Sequence, residues 1–374
     1  MNAKMTQYVV PATSLKSLLL LILHLVPVIS INITPIPSDP ASLESWASTN
    51  ILPFSARATD PALDPTLVTA EKNVVVIKVR QDGSGQFKTV TEAVNSIPEG
   101  NTKRTIVWIG AGVYKEKITV NRKKPFVTFY GEPADMPKLT FDGTAAKYGT
   151  VDSASVIMES DYFMAVNIIF ENSSPEPDGK RVGAQAEAVR ISGDKSSFYN
   201  CKFIGFQDTL CDDRGNHFFK DCEIQGTVDF IFGNGKSLYL KTELRQLAKQ
   251  GGVISAHARE KEEVDSGYNF VHCTVSGPGA ANTHLGRAWK SRATVTFIYS
   301  FLGPVVNPEG WSDFGNSTND GTIFFGEYMN RGPGSNTNSR NKFTKLLTDQ
   351  AAKPFLDINY IKGSTWLLAP PQVK

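Results

Sequence analysis

Residues 198–205 read FYNCKFIG and residues 219–226 read FKDCEIQG, so both stretches follow the pattern Phe-x-x-Cys-x-apolar-x-Gly. A third copy, FVHCTVSG, occupies residues 270–277. Degenerate copies begin at Phe163, Tyr239 and Phe297. The period is 21 residues from 198 to 219 and 20 residues from 219 to 239. A β-rich repeat of this length predicts that each copy forms one coil of a parallel β-helix.

The rest of the chain predicts an all-β domain with one short helix. Residues 74–79 form an apolar, strand-like run. The apolar spacing of residues 87–97 predicts a helix, which Thr89 and Glu92 can cap. Short strands separated by Gly, Asn and Asp then follow, for example at residues 105–109, 126–130, 156–158 and 165–170. We expect a partly helical tail, residues 342–367, to pack across the coil.

Composition divides the 374 residues into three segments. Residues 1–30 contain two lysines and a short apolar run, which predict a secretory signal peptide, with a membrane anchor as the alternative. Residues 31–72 are rich in Pro, Ser, Ala and Thr and predict a loosely packed lead-in. Residues 73–370 hold the predicted β-helix, for which 41% hydrophobic residues supply a large core. The formal charge of +2 neither indicates nor excludes a polyanionic partner.

Sequons and cysteines are compatible with a secreted glycoprotein. Asn-x-Ser/Thr sequons occur at Asn32, Asn172 and Asn316. Three of the four cysteines share one repeat position, which predicts an inward-facing ladder: Cys201, Cys222 and Cys273. Stacked neighbours have parallel Cβ vectors, so we expect reduced core thiols rather than disulfides, although four cysteines would permit two bridges. No Cys/His spacing matches a metal site.

Two aspartates share the repeat period. Asp208 and Asp229 are 21 residues apart, so we expect them on adjacent coils, about 4.8 Å from strand to strand. Two carboxyl groups at such close range cannot both ionise freely, which is typical of an acid–base pair. Gln185, Arg259 and Arg287 precede the starting aromatic residues of their repeats by similar numbers of residues, as Asp208 and Asp229 do. We therefore expect all five side chains to form one polar stripe along the surface of the coil. A purely structural polar ladder is the alternative, but such ladders usually repeat one residue type.

Several motifs, in this order along the chain, resemble plant pectin methylesterases, a carbohydrate esterase family. They are GVYKE at 112–116, QAEAVR at 185–190, QDTL at 207–210, DFIFG at 229–233, LGRAW at 285–289, PEGW at 308–311 and GEY at 326–328. The resemblance covers residues 79–367. It implies a right-handed parallel β-helix that hydrolyses methyl esters of homogalacturonan without a cofactor or metal. It also implies a secreted, monomeric cell-wall enzyme in the short form, which lacks an N-terminal inhibitor-like domain but has separate inhibitor proteins as candidate partners.

The resemblance also implies roles for five residues. Asp229 would be the nucleophile that attacks the ester carbonyl at C6 of a galacturonate unit, and Arg287 would keep it ionised. Asp208 would protonate the departing methanol and then act as base toward water. Gln185 and Gln207 would donate N–H groups to the oxyanion. Because adjacent strand residues face opposite sides, Gln207 and Asp208 can share a cleft only if the chain turns there.

Four aromatic residues are candidates for sugar binding: Trp289, Trp311, Tyr114 and Phe232. Core packing is the alternative for Tyr114 and Phe232.

Two departures from the family pattern affect this region. Ala288 stands where Pro is common, which should loosen the loop before Trp289. Glu187 stands where an apolar residue is usual, two positions past Gln185 and hence on the same strand face. We hypothesise that Glu187 adds negative charge near the acid pair, which would raise the pKa of Asp208 and disfavour de-esterified substrate. A solvated or locally paired carboxylate is the alternative.

Two other functions compete with the esterase. A glycoside hydrolase also uses two carboxylates, about 5–5.5 Å apart when it retains configuration. Arg287 and the two glutamines suit an acyl oxyanion better than an oxocarbenium ion. The second competitor is a pectin-binding wall protein that has lost catalysis, against which the intact polar set argues.

Overall fold

The computed structural model describes residues 33–373. The predicted signal peptide, residues 1–30, and the first sequon asparagine, Asn32, lie outside the described residues. No helix within residues 33–373 has the length and apolar character needed to cross a membrane.

Short strands make up most of the described chain. In chain order they are β1 Val75–Val79, β2 Thr105–Ile109, β3 Val113–Lys115, β4 Ile118–Val120, β5 Val127–Tyr130, β6 Lys138–Phe141, β7 Val156–Met158, β8 Met164–Val166, β9 Ile169–Asn172, β10 Val189–Ile191, β11 Ser196–Tyr199, β12 Lys202–Ile204, β13 Leu210–Asp212, β14 Asn216–Lys220, β15 Glu223–Gly226, β16 Ile231–Gly233, β17 Lys236–Leu240, β18 Glu243–Gln246, β19 Gly252–His257, β20 Gly267–Val271, β21 Thr274–Ser276, β22 Thr283–Ala288, β23 Thr294–Ile298, β24 Phe301–Leu302, β25 Trp311–Ser312, β26 Phe324–Tyr328 and β27 Thr344–Leu346.

These strands form three parallel sheets. Sheet 1 has 11 strands in the order β1-β2-β5-β8-β11-β14-β17-β20-β23-β26-β27. Sheet 2 has eight strands, β25-β22-β19-β16-β13-β10-β7-β4, and sheet 3 has eight, β24-β21-β18-β15-β12-β9-β6-β3. Successive strands of the chain visit the three sheets in turn, so the chain winds as the predicted right-handed parallel β-helix.

Helices are short and lie mainly outside the coil. The α-helices are α1 Leu43–Asn50, α2 Phe54–Arg57, α3 Pro65–Glu71, α4 Val90–Ser96, α5 Ala145–Tyr148 and α6 Asp349–Ala352. The 3₁₀ turns are Pro40–Ser42, Ser317–Asn319, Pro333–Ser335, Lys353–Leu356, Ile358–Ile361 and Gly363–Thr365. Helix α4 confirms the prediction at 87–97, and Thr89 and Glu92 form the predicted capping box at its start.

The repeat aromatics stack inside the coil. Register pairs Phe198 with Phe219, then Tyr239, Phe270 and Phe297, so five predicted equivalent positions are confirmed. Neighbouring ring centroids in this stack lie 4.4–4.8 Å apart. The prediction that a degenerate copy begins at Phe163 is wrong by two residues, because Ala165, not Phe163, is the residue in register with Phe198.

The cysteine ladder also follows this register. Cys201, Cys222 and Cys273 are buried on the inner side of the turns into sheet 3, and Thr242 fills the position between Cys222 and Cys273. All four cysteines, including Cys211, are free thiols, as expected from parallel Cβ vectors.

A left-handed residue follows each strand of sheet 1 from β8 to β26, where the chain turns toward sheet 3. Asn200, Asp221 and Lys241 occupy this position with φ of 49°, 55° and 53°. Asn167 does the same with φ of 57°, so the single strand predicted at 165–170 is two strands, β8 and β9. The apolar run continues through the turn because both strands bury one side, which hides the break from a hydrophobicity pattern.

The prediction of a loosely packed lead-in at 31–72 is wrong. This segment contains helices α1 to α3, and its apolar side chains, among them Leu43, Trp46 and Leu67, are buried against the outer face of sheet 1. Arg57 is also buried, where it forms an ion pair with Asp60 at 2.7 Å. The helices are too short to be stable alone, so packing stabilises them.

The C-terminal tail packs across the outer face of sheet 1, as predicted, and lies beside the lead-in. Ile361, Trp366 and Leu367 are buried in the same apolar cluster on the outer face of sheet 1. The backbone N–H of Asp64 donates to the carbonyl of Thr365 at 2.8 Å, which ties the two segments together. Sheet 1 is thereby covered, and sheet 2 keeps an outer face that can hold a site.

The sequon asparagines differ in accessibility. Asn172 is buried, and its side-chain N–H₂ donates to the carbonyls of Gly143 and Glu187, both at 2.9 Å. A glycan at Asn172 would break both bonds, so we exclude that sequon. Asn316 is exposed at the start of a 3₁₀ turn.

Candidate active site

Asp208 and Asp229 lie at equivalent positions of adjacent coils, each two residues before a strand of sheet 2. Leu210 at the start of β13 pairs with Ile231 at the start of β16. The backbone N–H of Asp208 donates to the carbonyl of Val228 at 3.1 Å. This bond extends the ladder to the two aspartates, so their predicted adjacency is confirmed.

A tight turn, rather than a strand, carries each acid. Asp208 has φ of 64° and Asp229 has φ of 50°, a left-handed conformation that aspartate tolerates better than most residues. The Thr209 hydroxyl donates to the carbonyls of Phe206 and Gln225, at 3.2 and 2.9 Å, and so fixes the first turn. This turn meets the condition under which Gln207 and Asp208 can face one cleft.

The glycine that precedes the second turn lies against the backbone of the first. A Cβ on Gly226 would lie 2.2 Å from the Cβ of Phe230 and 2.5 Å from the carbonyl oxygen of Phe206. Only glycine allows the two turns to approach this closely, which explains the glycine that ends the repeat.

Arg287 reaches Asp229 from two coils further along. It lies on β22, where it pairs with Ala256 of β19, and β19 pairs with β16. One guanidinium N–H group donates to Oδ2 of Asp229. The other carboxylate oxygen, Oδ1, is buried without a hydrogen-bond partner among residues 33–373.

Burial and charge separate the two acids. Burial and the neighbouring Asp229 charge raise the pKa of Asp208 to about 8, against the opposing effect of Arg287. Burial also raises the pKa of Asp229, but the charge and hydrogen bond of Arg287 lower it in return. Among the described residues Arg287 bonds Asp229 and not Asp208, which favours Asp229 as the ionised member of the pair and Asp208 as the protonated one.

The two glutamines flank the acid pair. Gln207 immediately precedes Asp208 in its turn, and the carbonyl of Gln207 accepts a hydrogen bond from the backbone N–H of Ala186 at 3.2 Å. Gln185, one residue before Ala186, is therefore on the neighbouring coil. Both side chains are partly exposed, and neither amide has a hydrogen-bond partner within the described part of the chain. Their N–H groups are free to bind a ligand at the cleft.

Two exposed aromatic rings flank Arg287. Trp289 is 45% exposed and contacts Phe232 edge to face, with ring centroids 5.9 Å apart. Phe314 is 52% exposed, and the Arg287 guanidinium carbon lies 4.0 Å from its ring centroid. Sequence reasoning missed Phe314, because its spacing from Trp311 does not show that the ring reaches Arg287. Phe232 is itself mostly buried and supports Trp289.

Trp311 and Tyr114 are corrections to the predicted sugar-binding set. Trp311 is 0% exposed, stacks on Phe325 at 4.6 Å and donates its indole N–H to Glu327 at 3.0 Å. Tyr114 is 1% exposed, and its hydroxyl donates to the carbonyl of Gly110 at 3.0 Å. Both rings belong to the core of the coil and have no surface to offer a sugar.

The predicted single polar stripe is also wrong in part. Arg259 follows β19, whereas Asp208 and Asp229 precede their strands, so Arg259 lies at the opposite end of sheet 2. There its guanidinium donates to the carbonyl of Glu262 at 2.7 Å. Counting back from the repeat aromatics failed because the connections between sheets 2 and 1 differ in length.

Glu187 is the third member of the ladder. The N–H groups of Ala186 and Ala188 donate to Gln207 and Thr209, at 3.2 and 2.8 Å, which places Glu187 opposite Asp208. We call Glu187, Asp208 and Asp229 the acid column. Burial raises the pKa of Glu187 well above its usual value, and the Asp208 charge adds to this effect. The direction of this shift favours the protonated form of Glu187 and speaks against an added negative charge, and the hypothesis stays a prediction.

No group of three or more His, Cys, Asp or Glu side chains in residues 33–373 is arranged to hold a metal ion. The polar groups gathered here are two carboxyl groups, one arginine and two amides. On a parallel β-helix, such a set suits a hydrolase that uses acid–base and nucleophilic chemistry.

Comparison with known proteins agrees with this class. A family model described as Pectinesterase matches residues 74–364. Pectinesterase 2 of Olea europaea and a pectinesterase of Parthenium hysterophorus are each 52% identical over 358 residues, which cover 95% of this chain and 96% of each relative. The structure of pectin methylesterase from carrot is similar, with a TM-score of 0.72 at 30% identity over 79% of this chain and 95% of the carrot chain. The chain therefore belongs to the pectinesterase family and is an enzyme of pectin demethylesterification.

Proposed function

We propose that two members of the acid column perform the ester hydrolysis, with Asp229 as nucleophile and Asp208 as general acid and base. The observation that supports this most strongly is that Arg287 bonds only Asp229, while Asp208 has a pKa of about 8. Adjacent coils thus supply one ionised and one protonated carboxyl group at neutral pH. An ester hydrolysis through an acyl-enzyme needs this combination.

In the first half-reaction, Asp229 attacks the methyl-ester carbonyl of a galacturonate unit. Its free oxygen, Oδ1, forms the new C–O bond, while Arg287 holds Oδ2 and so orients the carboxylate. Asp208 transfers its proton to the methoxy oxygen as the C–O bond to methanol breaks. The products are methanol, an acyl-Asp229 anhydride and an Asp208 carboxylate.

In the second half-reaction, the Asp208 carboxylate takes a proton from water as the water oxygen attacks the acyl carbon. The anhydride bond to Asp229 breaks and releases a galacturonic acid group, which then loses the second proton of the water to solvent and becomes the free carboxylate. Asp208 is then protonated and Asp229 is again ionised beside Arg287, so the site returns to its starting charge state.

Gln185 and Gln207 would stabilise the negative charge that develops on the carbonyl oxygen in both halves. Their amide N–H groups lack partners within the described chain, so they can bind the oxyanion without first breaking a protein hydrogen bond.

Trp289 and Phe314 are the proposed sugar platforms. Both are exposed beside Arg287, and an aromatic face packs well against the C–H face of a pyranose ring. The substrate class is homogalacturonan with methyl-esterified units.

We further propose that the enzyme is a secreted, monomeric glycoprotein of the cell wall and that separate inhibitor proteins bind it. The predicted signal peptide at residues 1–30 and the exposed sequon at Asn316 support secretion and glycosylation. Recovery of the glycosylated protein from the wall fraction, with a mass shift lost in Asn316→Gln, tests this placement.

The test of function is methanol release from highly methylated pectin by the mature wild type beside Asp229→Ala. We expect methanol from the wild type alone, with no shortening of the polymer. Chain shortening without methanol would instead show a glycoside hydrolase. Pectin binding without either product, by a wild type with a cooperative unfolding transition, would show a binding protein.

A further inference from the structure

Glu187 is a buried carboxyl group that the reaction described above does not use. It is 0% exposed, and both of its carboxyl oxygens are buried without a hydrogen-bond partner among residues 33–373. A buried polar group without a partner destabilises the fold and calls for an explanation. Its backbone, in contrast, is fully bonded: the N–H donates to the Ser153 hydroxyl at 3.1 Å, and the carbonyl accepts from Asn172 at 2.9 Å.

The ladder places Glu187 directly beside Asp208. Val189 pairs with Leu210 and Leu210 pairs with Ile231, so the same spacing of 21 residues relates Glu187 to Asp208 and Asp208 to Asp229. Strands at this separation, about 4.8 Å, bring side chains at paired positions into contact. Asp208 is thus flanked by a carboxyl group on each side.

No lysine or arginine of residues 33–373 forms a salt bridge with Glu187, although the charge of Arg190 acts to lower its pKa. The nearest candidate is Arg190, whose guanidinium bonds Asp213 at 3.2 Å and lies 3.6 Å from Asp152. The other titratable groups that act on this pocket are Cys211 of β13 and Lys117, whose ammonium donates to the carbonyls of Asp152 and Ala154. A buried carboxylate with neither a cation nor a donor is too costly to persist, so Glu187 keeps its proton.

We propose that Glu187 is a positioning residue for Asp208, an uncharged acid on the preceding coil whose O–H group turns to the Asp208 carboxylate once Asp208 has released its proton. In the resting site Asp208 is protonated and offers no strong acceptor to Glu187. After methanol departs, Asp208 is an anion, and the Glu187 O–H can donate a charge-assisted hydrogen bond to it. Because this bond strengthens as negative charge develops on Asp208, it stabilises the transition state of the proton transfer more than the resting site.

This inference rests on the proposed role of Asp208 as acid and base, and it deepens that role. It also predicts a direction for the pKa of Asp208. A neutral donor stabilises the Asp208 carboxylate, so removing the donor raises the pKa of Asp208. Removing a negative charge from position 187 would lower it instead.

Two variants separate these cases, with kcat, KM and the pH profile of methanol release as readouts. Glu187→Gln keeps an N–H donor of similar size, and Glu187→Met fills the same space without one. We expect Glu187→Met to lose about tenfold in kcat with little change in KM. Its alkaline limb, the decline of kcat/KM at high pH as Asp208 loses its proton, should move to higher pH. Glu187→Gln should stay within about threefold of the wild type, with its limb unmoved.

Three results would overturn the proposal. A limb that moves to lower pH in both variants would mean that Glu187 carries a charge. Wild-type rates and profiles in both variants would leave Glu187 with a structural role only. A Glu187→Gln variant as impaired as Glu187→Met would remove the hydrogen bond from the explanation.

Infrared difference spectra of wild type minus Glu187→Gln at neutral pH give a readout that does not need turnover or the Met variant. We expect the wild type to show an additional protonated-carboxyl C=O band, and a carboxylate band in its place would overturn the proposal. Methanol release by the wild type tests the proposed function separately, so failure of either idea can be recognised.

Discussion

The coil carries two sets of buried polar groups: an inner set around the carboxyl group of Asp212, and the acid column outside. The two sets differ in how completely their carboxyl groups are hydrogen-bonded. The inner set centres on Asp212, whose carboxylate accepts from His217 at 2.5 Å and from Tyr239 at 2.6 Å. Its backbone carbonyl accepts from the Tyr268 hydroxyl at 2.9 Å. In the outer acid column, by contrast, the three carboxyl groups have one hydrogen bond, from Arg287 to Asp229, among the described residues.

The difference shows how burial serves two purposes in one coil. Burial alone would lower the pKa of His217, but the charge and hydrogen bond of Asp212 raise it. Asp212 and His217 therefore satisfy each other inside the coil, and this pair stabilises the fold. The outer column leaves oxygens without partners, and its unmet hydrogen bonds become available to substrate and to reaction intermediates. A catalytic role is therefore indicated by buried acids that lack partners, rather than by burial itself.

The largest effect should come from breaking the inner set. Asp212→Ala leaves the His217 ring and the Tyr239 hydroxyl without their partner, and we expect a loss of about 3–5 kcal/mol in the free energy of unfolding. Chemical denaturation measures it. The adjacent Asp213→Ala removes a partly exposed partner of Arg190 and should cost less than about 1 kcal/mol. Equal losses in the two variants would show that the inner set does not stabilise the coil.

Gln207→Leu should break the outer site without breaking the fold. Its amide has no partner in the described chain, so we expect an unchanged denaturation midpoint but a fall of about 10²–10³ in kcat for methanol release. Gln81→Leu, remote from sheet 2, is the matched control and should retain full activity. A rise in KM with kcat unchanged would show that Gln207 binds the ground state rather than the oxyanion.

Asp208→Asn should have opposite effects on stability and activity. The pKa of Asp208 is about 8 in the folded protein and near 3.8 when unfolded, so its contribution to stability declines as pH rises from 3.8 to about 8. The variant lacks this penalty, and we expect it to be inactive but more stable than wild type at pH 8, by on the order of 2 kcal/mol. At pH 3 the difference should vanish. Equal stability at both pH values would contradict a protonated Asp208.

Phe314→Ala should have the smallest effect. Its ring lies over the Arg287 guanidinium in an exposed loop, where such a contact contributes about 0.5–1 kcal/mol. We therefore expect KM for pectin to rise about two- to fivefold while kcat changes little. Phe301→Ala, an exposed phenylalanine on sheet 3, is the matched control. An unchanged KM would remove Phe314 from the substrate surface.

The repeat made the inside of the coil readable from sequence. Phe198, Phe219 and Tyr239 recur because each coil places one ring on the last, and the same phase predicts the adjacency of Asp208 and Asp229. Glu187 is 11 residues before Phe198, as Asp208 is before Phe219, so its place in the column was also readable.

Other features depend on contacts that a repeat pattern does not contain. Trp311 pairs with Gly286 at an inward-facing position, where the missing glycine side chain leaves room for the indole. The lead-in helices are stable only against the outer face of sheet 1, a partner distant in sequence. Phe314 reaches Arg287 through a left-handed turn with φ of 59°, which residue spacing does not predict.

The pH dependence of kcat/KM for methanol release tests the central claim most directly, because it reports the ionisation of the free enzyme. With Asp229 ionised and Asp208 protonated, we predict a plateau at neutral pH and a one-proton decline above pH about 8, the pKa of Asp208. Activity that instead rises steadily through pH 8, or that is already lost a unit or more below it, would contradict the assignment of Asp208 as the general acid.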